Sequence, residues 1–313
     1  MNRGKSANAD FPIVGRGEYM DKILRKKRYI ILFVAPALIL YIIFGLIPIF
    51  YNLYLSLFQT NLMEVKNFVG LNNYKQLFQD HFFIKALGNN LKFVCGCYVA
   101  HMGFALILAQ ILTQNIVKSR LFQCVYFMPS VICGTAIGLL WKFIYNPEFG
   151  LLNSLLEFLG LEHWIHNWLA DEKTVIPALI VVTMWQFVGY HMLIQIAAMR
   201  EVDGNLYEAA KIDGGTEWQK FRCITFPLIK PVLAIDSILI ISGSLKLYDL
   251  IAVTTMGGPN HASEVLTTYM YYTGFKTLKF GYSSTISVVL LVLCLIAAAL
   301  VKMVFRTKRG VDE

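Results

Sequence analysis

The stretch YEAAKIDGGTEWQKFRCITFPLIKP, Tyr207–Pro231, carries Glu208, Lys211, Asp213, Glu217, Lys220, Arg222 and Lys230, with apolar runs close on both sides. Just upstream, Asn205 is expected to cap a helix, with Glu208 reaching back to the Asn205 amide in a variant of the capping box. Leu206, Ala209 and Ala210 give that helix a small, partly apolar face. Asp213-Gly214-Gly215 ends it, because a helix terminus often needs the left-handed conformation that glycine tolerates. Thr216 is placed to cap a second short helix carrying Trp218, Phe221 and Arg222, and Pro227 and Pro231 punctuate the run that follows. Two readings stand for this pair of short helices. It is a protrusion shaped for a partner's groove, or a structured loop that packs on the protein itself. The apolar runs on either side decide the class of fold.

The 313 residues are 57% hydrophobic and 15% charged, with a mean hydropathy of +0.56. Soluble domains carry about 25% charged residues, and a soluble fold of this length encloses too little core for so much apolar surface. A hydrocarbon core about 30 Å thick needs roughly 20 apolar helical residues. Six segments qualify, at about 29–54, 88–113, 121–144, 174–199, 230–255 and 282–305. The fold class is therefore all-α integral membrane, with six transmembrane helices. Pro36 and Pro48 predict a kink or tilt in the first. No small-residue cleavage site follows it, so it reads as an uncleaved span and not as a signal peptide.

Nineteen of the 28 Lys and Arg residues lie in the N-terminal segment, the 114–120 turn, the 199–230 segment and the C-terminal end, against seven in the intervening loops. Cytoplasmic loops carry the excess of positive charge, so both termini and Tyr207–Pro231 are expected in the cytoplasm. The net charge of +8 then belongs to topology, and no soluble domain is left to bind nucleic acid. The chain divides into a basic cytoplasmic segment, 1–28, and a permeating domain, 29–313, with a cytoplasmic loop at 200–230. Tyr19–Arg28 is expected to lie as a basic amphipathic helix on the inner leaflet. The outer segments are long and aromatic, and Trp164 and Trp168 suit anchoring at the interface. The six cysteines show no CxxC spacing and read as packing residues.

Polar groups inside spans are costly and face the bundle interior or a pathway. In the fourth span Gln186 and Tyr190 lie four apart on one face, with Trp185 beside them and Gly189 leaving room. In the fifth, Ser237, Ser244 and Tyr248 share a face, while Lys246 and Asp249 are spaced to form a structural ion pair. Neutral hydrogen-bonding groups with aromatic faces suit uncharged, hydroxyl-rich sugars. The competing reading is that they bond neighbouring helices. His101 and His191 look isolated and read as core hydrogen-bonding residues.

The segment around Glu208 resembles the EAA motif of ABC importer permeases. Glu208-Ala209-Ala210, Gly214 four residues on, and Ile224-Thr225-Phe226-Pro227 match its spacing. Other blocks are similar to the carbohydrate-type, maltose-permease-like subfamily: Phe68–Tyr74, Phe127-Met128-Pro129-Ser130 leading to Trp141-Lys142-Phe143, Asn146–Asn153, Gly189-Tyr190, and Met256-Gly257-Gly258-Pro259. Together they run through nearly the whole chain in order. Two departures are Asp203, where many relatives have proline, and Gly215, where they have alanine, which predicts a looser hinge. The resemblance implies a type I ABC importer permease fold, in which this loop docks on a cytoplasmic ATPase dimer. Glu208, Ala209, Ala210, Asp213 and Gly214 would then transmit nucleotide-driven closure. It also implies a second homologous permease subunit, an extracytoplasmic solute-binding protein on the outer loops, and a sugar cargo. Trp185, Gln186, Tyr190 and Ser244 match lining positions of the family's site, and Tyr248 joins them on the shared-face argument.

The chain has no GxxxxGK[ST] phosphate loop, so ATP belongs to another chain and the reading calls for no cofactor. A glycerol-phosphate or polyol importer permease of the same family is the alternative cargo class. A stand-alone secondary transporter is the alternative mechanism. It would call for internal repeats and pathway carboxylates, where the spans offer only Asp236 and Asp249. A membrane-embedded enzyme would need a metal cluster or nucleophile–base set, and none is legible.

Overall fold

A computed structural model describes residues 27–61, 64–114 and 118–305. The chain falls into two units, Met1–Tyr54 and Leu55–Glu313. In the first, α1 (Lys27–Tyr41), with Pro36 inside it, leads through a π-helical turn, Ile42–Leu46, into α2 (Ile47–Ser56). The Ile47 amide reaches back to the Ile42 carbonyl. This wider turn comes just before Pro48, which has no amide to continue the regular ladder. The expectation for Tyr19–Arg28 lies outside the described residues up to Lys27.

Among the described residues, five helices are long and apolar enough to cross a membrane: Ile31–Ser56, His81–Thr113, Val175–Arg200, Glu217–Thr254 and Phe280–Val304. The expected third span is not one straight helix. It is split into α5 (Ser119–Phe127), continued by a 3₁₀ turn at Met128–Val131, and α6 (Gly134–Ile144), with a 99° bend between the halves. Pro129 withholds an amide from the ladder, and the Ser130 hydroxyl donates to the Phe127 carbonyl at 2.7 Å.

The second unit is built around α4 (His81–Thr113) and α8 (Val175–Arg200), which pack along one another. Phe93, Cys97, His101, Ala105 and Ala109 recur every fourth residue of α4, and all are buried. Residues four apart share a helix face, and the small side chains of this stripe let the backbones approach. Close packing of this kind, and not apolar burial against lipid, drives helix association in a bilayer. α5 and the 3₁₀ turn also pack on α8. α11 (Phe226–Leu245) packs on α4, α8 and α14 (Phe280–Val304). Gly189 makes the α5 crossing possible: a Cβ there would stand 2.0 Å from the Tyr126 carbonyl oxygen.

The outer segments are ordered by side chains of the helix ends. After α2 comes a short hairpin, β1 (Phe58–Asn61) against β2 (Glu64–Phe68), antiparallel and irregular between Gln59 and Thr60. It departs from an all-helical expectation. The Gly281 amide donates to Thr60 Oγ1 at 2.6 Å, which ties the hairpin to α14. Asp80, between α3 (Asn72–Gln79) and α4, accepts from the Phe82 and Phe83 amides and from the hydroxyls of Tyr269 and Tyr282. Asn89 donates to the His261 and Glu264 carbonyls at 2.9 and 3.1 Å, and Asn90 accepts from the Leu266 amide at 3.1 Å. The loop before α13 (Leu266–Tyr271) is thereby stapled to α4. Trp168 is part of this architecture and not only an interfacial anchor: its Nε1 donates to Asn153 Oδ1 at 2.8 Å. Trp164 remains exposed.

Candidate functional site

A cavity of about 540 Å³ opens where α4, α8 and α11 meet the bend of the broken helix. Phe127, Ser130 and Val131 enter its wall from the bend, Phe93 and His101 from α4, and Thr183, Phe187, Tyr190 and His191 from α8. Gly243 and Ser244 come from α11. Irregular backbone within a membrane is tolerated where protein buries it or where it lines a cavity, and the bend does the second. Its freed Ile132 carbonyl accepts from Gln186 Nε2 at 3.1 Å.

The five residues selected for the pathway separate accordingly. Tyr190 and Ser244 line the cavity. Gln186 is 3% exposed and braces the bend. Trp185 lies in a different crevice, beside Tyr126 and Pro129, with its ring 5.7 Å from Trp141. Tyr248 leaves the face it was assigned because α11 ends at Leu245. It stands before α12 (Asp249–Thr254), against the Tyr271 ring at 5.3 Å. The same break removes the helical spacing of Lys246 and Asp249, and among the described residues no ion pair joins them. Ser237 is also turned away, donating to the Leu233 carbonyl at 2.7 Å and bonded to the Tyr98 hydroxyl.

The histidines are not isolated. Their rings stand 5.3 Å apart beside the cavity. His101 lies between the carbonyls of Cys97 and Thr183, at 2.7 and 3.0 Å, and bridges α4 to α8. A ring with one N–H fills one of these acceptors, and a ring with two fills both. His191 Nδ1 donates to Asp236 Oδ1 at 2.6 Å, and Gln195 Nε2 donates to the second carboxylate oxygen at 2.8 Å. Asp236 is wholly buried. The only signal of this cluster in the sequence was the presence of ionisable side chains inside apolar runs.

At the other end, α9 (Gly204–Ile212) and α10 (Glu217–Lys220) form the pair of short helices. The first begins two residues earlier than expected. Asp203, and not Asn205, is its cap, accepting from the Asn205 amide at 3.0 Å, so Glu208 lies too far along to close a box. Gly214 takes φ +77°, and the Gly214 and Gly215 amides bond to the Lys211 and Ala210 carbonyls. This is a Schellman closure. A Cβ at residue 215 would lie 2.8 Å from the Ala210 oxygen, so the turn leaves no room for a larger residue at the second glycine. Thr216 caps the second helix as expected, and it does so in a reciprocal box with Gln219; the helix ends at Lys220, so Phe221 and Arg222 fall in the π-helical turn that follows. Tyr207 OH bonds to Thr225 Oγ1 at 2.9 Å, joining α9 to the π-helical turn Phe221–Thr225 that leads into α11. Glu208, Ala209, Asp213 and Gly214 are exposed and Ala210 is half-buried.

A sequence profile described as "Binding-protein-dependent transport system inner membrane component" matches residues 102–310. The chain belongs to that family. This permease is 40% identical over 285 residues to the probable ABC transporter permease protein YurN of Bacillus subtilis, covering 90% of this chain and 97% of that one. It is 31% identical to the probable starch degradation products transport system permease protein AmyD of Thermoanaerobacterium thermosulfurigenes, over 90% of this chain and 94% of that one. Among solved structures, a chain of a bacterial alginate ABC transporter, in complex with an alginate pentasaccharide-bound periplasmic protein, superposes with a TM-score of 0.80. The alignment covers 93% of this permease and 99% of that chain at 22% identity, a likeness of fold. The protein is thus a multi-pass membrane permease of the type I ABC importer fold, a transport subunit.

Proposed function

We propose that this permease forms half of the pathway of an ATP-driven importer for an uncharged oligosaccharide or related sugar, and that the cargo passes through the 540 Å³ cavity. The observation that carries this is the wall itself. Phe93, Phe127, Phe187 and Tyr190 offer aromatic faces, Ser130 and Ser244 offer hydroxyls, and among the described residues no Lys, Arg, Asp or Glu lines it. Apolar sugar ring faces pack on aromatic rings while hydroxyls meet a few placed polar groups, the usual make-up of a small-molecule site. The name of AmyD, which refers to starch degradation products, supports the same class.

The α9–α10 loop, within 200–230, is the cytoplasmic coupling element. Exposed Glu208, Ala209, Asp213 and Gly214, with Ala210, seat in a cleft of a cytoplasmic ATPase dimer. Capped at Asp203 and Thr216, closed at Gly214 and tied to α11 through Tyr207, the loop is built to move its helices as a body. A second homologous permease chain completes the pathway, and an extracytoplasmic solute-binding protein delivers cargo to the outer loops. Residues 29–313 make up the permease domain and 1–28 a cytoplasmic segment. Screening the companion binding protein against neutral saccharides identifies the cargo. Glu208→Lys and Gly214→Pro are each expected to reduce uptake at least tenfold, roughly 1.4 kcal/mol of coupling, at normal membrane levels. Uptake at the wild-type rate by both variants would overturn the coupling role.

A further inference from the structure

Among the polar groups of the cavity, one is both unpartnered and held in place. His191 lines the wall and its residue is 6% exposed. Its Nδ1 is engaged by Asp236, whose other oxygen is engaged by Gln195. That arrangement fixes the ring's plane and, in the neutral ring, its tautomer: the hydrogen sits on Nδ1 and the lone pair on Nε2. No group among the described residues bonds His191 Nε2, and it is not one of the polar atoms sealed inside the protein. The neighbouring histidine cannot serve, because both of its nitrogens lie against carbonyls of α4 and α8. The Ser130 hydroxyl has already given its hydrogen to the Phe127 carbonyl.

We infer that His191 Nε2 is the hydrogen-bond acceptor that selects a cargo hydroxyl, with Asp236 and Gln195 as its positioning residues. This rests on reading the cavity as the sugar path. A carboxylate behind an imidazole fixes the orientation of the far nitrogen, as outer partners do for metal-bound histidines. The acceptor therefore favours a hydroxyl donor over an apolar group at the same place, where a buried nitrogen would be left unpaired. The step is recognition alone, and no bond is made or broken.

Two substitutions separate this role from a structural one. His191→Asn keeps an amide donor near Asp236 but withdraws the atom at Nε2, whereas His191→Gln carries an acceptor out to about the Nε2 position. The reading is saccharide moved per ATP hydrolysed, in proteoliposomes holding the complete importer. The probes are labelled lactose, maltose and N,N′-diacetylchitobiose, and the best-transported one is used. His191→Asn is expected to lower that ratio about tenfold with ATP hydrolysis within about twofold of wild type, and His191→Gln to restore most of it. A purely structural role would lower transport and hydrolysis together. A wild-type ratio in His191→Asn overturns the inference. So does a loss in His191→Gln equal to that in His191→Asn. Tyr190→Ala, measured in parallel, reports on the cavity. If it lowers transport while His191→Asn does not, the inference fails alone. If neither variant changes transport, or the wild type moves none of the three sugars, the cargo reading fails and takes the inference with it.

Discussion

Gly189 stands where α8 crosses α5, and its missing Cβ leaves room for the Tyr126 carbonyl 2.0 Å from the place it would occupy. Backbone cannot rotate aside as a side chain can, so Gly189→Ala is expected to destabilise by about 3 kcal/mol, the upper end of overpacking costs. The measurement is thermal unfolding of the detergent-purified permease; an unchanged midpoint would contradict the crossing. At this scale the sequence was partly legible. Tyr190 and Ser244, which the resemblance selects and whose helical faces agree, line the cavity because α8 and α11 are regular where those residues sit. Gln186 obeyed the same periodicity, yet it braces the bend, because a side chain's face says nothing about a carbonyl freed on another helix. His191 and Asp236 are 45 positions apart, and no local pattern joins them.

Among elements, the outer hub at Asp80 has a charge state that can be tested. Burial raises its carboxyl's pKa, but hydrogen bonds from Tyr269, Tyr282 and the Phe82 and Phe83 amides outweigh that, and the net result lies below the usual value. A carboxylate whose folded pKa is depressed contributes stability above its unfolded pKa of about 3.9, and that stability is lost as pH falls through the lower folded value. Acidification below about pH 4 is therefore expected to lower the unfolding midpoint of wild type more than that of Asp80→Asn; equal slopes would refute the hub. The apolar runs were plain in the sequence because each exceeds a bilayer's thickness in helical rise. The 99° bend was foreshadowed only by Pro129, since a proline ends a ladder without saying where the chain turns next. The start of α9 was misread because Asp203 and Asn205 are both good caps, and only geometry chooses between them. The stop at Gly214 was readable, since φ +77° suits few other residues.

For the whole molecule, span count and ordered motifs carry the class of protein in the sequence, and the family profile over residues 102–310 agrees. Given the coupling role proposed for the exposed α9–α10 loop, the permease is expected to leave the membrane in company. Gentle detergent extraction should recover it with a second permease chain and an ATPase, in stoichiometric bands on native gels. Full transport by the chain purified alone would instead favour the secondary-transporter reading. The crossing at Gly189 has one more consequence, for how such a protein can diverge. Where two backbones touch, no side chain is available for selection to trim. A lineage adapting the proposed path to a wider or narrower cargo can change wall residues such as Phe127, Ser130 or Val131 on the bend and leave the seat beneath them alone. Cargo preference can then drift quickly while the scaffold stays nearly still.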